Sequence, residues 1–101
     1  MKYKIVISNK ANQLIKNHLL FLANVSKESA RKLNKEFKSA IKKIAEDPKM
    51  YQLFECEFIP YGKYRKYVVS KRYLIIYHIK EDSIFVDYVI DTRSDYSWLV
   101  R

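Results

Sequence analysis

Residues 64–79, YRKYVVSKRYLIIYHI, combine two kinds of side chain that act on anions. Arg65, Lys66, Lys71 and Arg72 fall within the first nine positions, and tyrosines stand at 64, 67, 73 and 77. Cations hold phosphate or carboxylate groups, and aromatic rings interleaved with them stack bases. His78, the only histidine in this half of the chain, adds a proton carrier. The formal net charge of +9 and a pI near 9.6 extend the same preference to the whole chain. Such a charge calls for an anionic partner: nucleic acid, an acidic protein or an anionic membrane surface.

Other chemistries are poorly served. Cys56 is the single cysteine, so neither an internal disulfide nor a Cys-rich zinc site can form, and a reducing compartment fits. Its neighbours Glu55 and Glu57 raise a thiol pKa and oppose thiolate formation. Asp87 and Asp91 read as sharing one face of a strand, but no His or Cys cluster joins them, so no metal and no cofactor is expected. The apolar run near the N-terminus, Ile5 to Ile7, is far shorter than a secretory core, and no stretch approaches the ~20 residues that span a bilayer. The expected location is the cytoplasm, with no membrane partner.

The elements that must position these groups follow from periodicity. The length of 101 residues fits one domain, 1–101. Tyr3 to Ile7 reads as a first strand. Ser8 and Asn9 are good N-caps for a helix over 10–24, and Ser26 for a second over 27–46 that Asp47-Pro48 ends. The very short connection makes the helices an antiparallel pair. Residues 51–54 fit either a short strand or an extended loop. Strands follow at 64–70, 73–80 and 84–91, and their tight connections imply an antiparallel meander. Two helices cover only one face of such a sheet, so the other stays at least partly open, and the cations and tyrosines of 64–79 are expected to line it. Alternation puts Leu74, Ile76 and His78 opposite Tyr73, Ile75, Tyr77 and Ile79, and Ile84, Val86, Tyr88 and Ile90 opposite Phe85, Asp87, Val89 and Asp91. It does not say which set meets the helices.

The order of these features resembles the RelE/ParE toxins of bacterial type II toxin–antitoxin systems. The resemblance is carried by Arg65 on the first hairpin strand, Tyr73 to Tyr77, the acidic turn Glu81-Asp82, the β-branched strand from Ile84 to Ile90, and Arg93 with Asp95. The N-terminal strand and helical hairpin ending in Asp47-Pro48 also fit, so it covers nearly the whole chain. It implies an α+β fold, β-α-α-β-β-β, with a twisted antiparallel sheet on the hairpin. It also implies neutralisation by a cognate antitoxin, whose acidic tail suits a charge of +9.

Two activities are known on that fold. RelE-like members cut messenger RNA on the ribosome without metal, by attack of a 2′-hydroxyl on the adjacent phosphate. ParE-like members bind and inhibit DNA gyrase. For cleavage the resemblance implies Arg65 and Arg93 as phosphate-stabilising cations, with Tyr96 and His78 in the same catalytic set. Lys63, Lys66, Lys71 and Arg72 would then bind RNA. Arg93 next to Tyr96 favours the phenolate and brings it nearer use as a base. Two departures weigh against cleavage: Leu74 follows Tyr73 where nuclease members carry arginine, and Tyr96 follows Arg93 by only three residues. Cleavage is the expected activity, gyrase binding the alternative.

Overall fold

The computed structural model describes residues 3–55 and 62–92; Cys56, Arg93 and Tyr96 lie outside them. Strand β1 (Lys4–Ile7) leads into helix α1 (Asn9–Val25) and helix α2 (Lys27–Glu46). A short 3-10 turn, Pro48–Met50, follows, and then strands β2 (Arg65–Val69), β3 (Tyr73–Lys80) and β4 (Ser83–Asp91). Both expected caps form. The Ser8 hydroxyl accepts from Ala11 N–H, and the Ser26 hydroxyl accepts from Ser29 N–H. Ser26 also donates its own N–H to Leu22 O, so one residue closes α1 and opens α2. That single-residue hinge folds the helices back on one another.

The sheet order is β1-β4-β3-β2. β2, β3 and β4 form the expected antiparallel meander, whereas β1 lies parallel to β4, Ile5 beside Ile84. The sheet is therefore mixed. The parallel pairing is possible because the whole hairpin serves as the crossover from β1. The short turns need left-handed backbone at Ser70, Lys71 and Glu81, without glycine.

Ala11, Leu33, Phe37, Ala40 and Ile44 of the helices pack on Tyr73, Ile75, Tyr77, Ile84, Val86 and Val89 of the sheet. The other face is not bare. Phe54, Tyr64, Leu74, Ile76 and Ile90 form a second buried cluster there, joined by Tyr88. The alternation read for β4 is corrected by a register shift: Ile76 pairs with Tyr88 but Tyr77 pairs with Val86, leaving Asp87 unmatched. Such a bulge reverses the sense of alternation beyond it. Ile84 and Val86 thus face the helices while Tyr88 and Ile90 face away, and Asp87 and Asp91 do not share a face.

Residues 51–54 resolve as extended chain with one bridge, Leu53 to Arg65. The turn before them is held from the sheet, because the buried Tyr77 hydroxyl donates to Pro48 O at 2.7 Å. Tyr77→Phe leaves that carbonyl buried without a donor. The variant should lose about 1–3 kcal/mol, read as a fall of about 4 °C or more in Tm.

Candidate functional site

The predicted cations separate along the sheet. Arg65 opposes Tyr77 in the β2–β3 register, and directly opposed residues share a face, so Arg65 points to the helix side. Its Nη1 donates to Tyr51 O at 2.6 Å and to Lys49 O at 3.2 Å. With Tyr77 it braces the Pro48–Met50 turn. Arg72 lies at the other end of β3. Its Nε pairs with Asp91 at 3.4 Å, and its guanidinium sits 5.4 Å from the centre of the Tyr73 ring. Tyr73 and Tyr77 are both buried against the helices. The expectation that residues 64–79 line the helix-free face therefore holds for Tyr64, Lys66 and His78 only. Alternation sends Arg65, Tyr67, Tyr73 and Tyr77 to the helix side, and Lys71 and Arg72 occupy the β2–β3 turn. Six residues along β3 put Arg72 about 20 Å from His78.

Two features come together near Arg65. A cleft of about 370 Å³ is lined by Lys49, Lys63, Arg65 and Glu81, with Leu53, Gly62 and Ile79. Three cations against one carboxylate make it anion-attracting. Beside it, on the helix-free face, Tyr64 O–H donates to Asp87 Oδ2 at 2.8 Å, and His78 Nδ1 lies 3.1 Å from the same oxygen. The histidine contact is close but not aligned as a hydrogen bond. The His78 ring stacks on Phe85 at 5.2 Å and meets the edge of Tyr64 at 5.3 Å. Lys63 Nζ lies 5.2 Å over the Tyr64 ring. The bulge turns Asp87 into this cluster, and its backbone O accepts from the Ser8 hydroxyl at the start of α1.

Burial lowers the His78 pKa from 6.5; Asp87 opposes this and Lys63 adds to it, so the ring is neutral at pH 7. Burial first, and then donation to Asp87, push the Tyr64 phenol far above its usual value. Burial does the same to Tyr77. The cluster can accept a proton at His78, but neither tyrosine is available as a phenolate. From sequence Lys49 goes unmentioned, and Tyr64 and Asp87 are named without a site role. Lys49 is distant in the chain, and nothing in the sequence pattern marks the bulge.

Burial also lowers the pKa of His18, which packs 4.8 Å from Tyr73. With both histidines depressed, the unfolded chain binds more protons than the folded one just below pH 6.5. Their contribution to stability is complete above about pH 6.5 and is lost as the pH falls from there through the lower folded-state values. Asp87→Asn removes the carboxylate that raises the His78 pKa. NMR titration should find His78 lower still in that variant and Tyr64 returned toward 10. An unchanged His78 titration would contradict the contact.

Comparison with known proteins bears on this arrangement. A family model described as the ParE toxin of the type II toxin–antitoxin system parDE matches residues 5–96. No curated protein matches. The fold is similar to a solved chain of a chromosomal ParDE toxin–antitoxin system from P. aeruginosa, with a TM-score of 0.72 at 12% identity, covering 89% of this chain and 96% of that one. It is also similar to a conserved hypothetical protein from Helicobacter pylori, with a TM-score of 0.59 at 16% identity, covering 89% and 94%. Among the described residues no helix is long and apolar enough to cross a membrane. A match along nearly the whole sequence, on a fold of the same kind, makes this chain a member of the ParE toxin family of type II toxin–antitoxin systems, and so a protein with a cognate antitoxin.

Proposed function

We propose that this toxin arrests growth by binding DNA gyrase, and that an acidic segment of its antitoxin neutralises it. The observation that carries the reading is the employment of the two arginines in residues 64–79. Arg65 Nη1 is spent on two backbone carbonyls and Arg72 on Asp91, at opposite ends of β3. Phosphoryl transfer needs cations converging on one oxygen cluster, and these two do not converge. Gyrase is the target that the resemblance attaches to ParE-like members, and the family match agrees with that choice. The net charge of +9 supports an acidic neutralising segment.

Cleavage of messenger RNA is the second reading. The observation in its favour is a neutral His78 beside Asp87, next to the cleft of Lys49, Lys63 and Arg65. A proton acceptor and cations then lie near one another, and Arg93 and Tyr96 would complete the set.

The readings part at Arg65→Ala. If gyrase is the target, supercoiling by purified gyrase should stop with the wild type while translated messages stay whole in primer extension. Arg65→Ala should weaken toxicity together with a measurable fall in Tm, because the brace on the Pro48–Met50 turn is gone. If messages are cut instead, Arg65→Ala should slow cleavage about a hundredfold to a thousandfold, at temperatures well below its lowered Tm where the variant is still folded. Cut messages with normal supercoiling would overturn the gyrase reading.

A further inference from the structure

The two helices differ in their outer faces. Helix α2 carries charges along its whole length, whereas the charged residues of α1 are Lys10 and Lys16, both in its first half. From Asn17 to Val25 α1 holds no acid, lysine or arginine. Ala11, Leu14, Ile15, Leu19 and Leu22 pack into the core, yet Leu20, Phe21 and Val25 are 66%, 65% and 77% exposed. Spacings of three and four residues put 17, 20, 21, 24 and 25 on one face, so the three apolar side chains form a strip bordered by Asn17 and Asn24. Single apolar residues are ordinary on a surface, but a contiguous strip marks a contact. His18 packs on Tyr73, and Leu22 shares a recess with Ser70 and Arg72. The strip therefore lies at the Arg72 end of β3, and the cleft of Arg65, Ile79 and Glu81 lies at the other.

We propose that this strip of α1 docks on the same strip of a second copy of this chain, with the two helices antiparallel across a twofold axis. Charge selects the occupant. At a net charge of +9 two copies repel one another, but this face brings no acid, lysine or arginine to the contact. An acidic segment finds no cation along it, and an anionic bilayer calls for the lysine-rich flank of a surface-lying helix. An apolar strip is its own complement in a twofold contact. Antiparallel pairing centred on Leu20 and Phe21 sets Lys16 opposite Val25, whereas parallel pairing would set Lys16 against Lys16. It also sets Asn17 opposite Asn24, and each amide both donates and accepts. Three apolar side chains per copy keep the buried area at the small end of specific contacts, about 1,200 Å² or less. The dimer therefore forms and dissociates with concentration. The cleft at the far end of β3 stays open in the pair, so the contact is compatible with either cellular target.

Sedimentation of the purified toxin, from micromolar to near millimolar, should show its mass rising from 12.2 kDa toward twice that value. Added salt screens the net charge, so the dimer should hold or strengthen with it. Backbone amide shifts of the wild type should move with concentration at Asn17, Leu20, Phe21, Asn24 and Val25. Phe21→Lys sets like charges into the contact and should weaken dimerisation at least about tenfold in Kd. Its Tm should stay near that of the wild type, because the ring is already exposed, and it should bind the antitoxin as the wild type does. The proposal is overturned by a monomer throughout the series, by a dimer that dissociates on adding salt, or by shifts confined to other elements. It is overturned equally by a folded Phe21→Lys variant that dimerises as tightly as the wild type, or that loses the antitoxin, which would give the strip to that partner. If Phe21→Lys does not fold, the wild-type shifts decide.

Discussion

The unmatched Asp87 is the constraint on which the remaining arrangement depends. A regular β4 would present Ile84, Val86, Tyr88 and Ile90 to one side. The second cluster would then lack Ile90 and Tyr88, and the helices would lose Val89. One extra residue lets a nine-residue strand serve two apolar faces in turn. It also delivers a carboxylate to the only described place where a tyrosine hydroxyl and a histidine approach the same oxygen. The Ser8 hydroxyl touches the same residue's carbonyl, so the start of α1 is tied to the bulge as well.

The candidate site is organised from the two ends of β3. At one end Tyr77 and Arg65 hold the Pro48–Met50 turn, which sets Lys49 beside Lys63. At the other end Arg72 is tied down by Asp91 and the Tyr73 ring. The charge of +9 is thus not a uniform coat. Some cations are structural donors, and others, Lys49 and Lys63, line the cleft beside Arg65. An arginine with several donors can hold carbonyls and still face a ligand, which is why Arg65 belongs to both accounts.

Periodicity, capping and turn residues in the sequence determined the element order, the two helices to within a residue or so, the hairpin hinge at Ser26 and the end of α2 at Pro48. These are short-range effects: each cap or breaker acts within one turn of chain. The sequence also determined the family, because order and spacing of such elements survive without any single strict motif. Only the tertiary structure decided which strand face meets the helices, that β1 runs parallel to β4, and where each cation spends its hydrogen bonds. Alternation says that neighbours point apart but not to what, and it fails past a bulge that no local pattern announces. Arg65 and Arg72 look alike as residues in a basic stretch. Their difference comes from carbonyls sixteen and fourteen residues away in one case and a carboxylate nineteen away in the other, contacts that exist only once the sheet has closed.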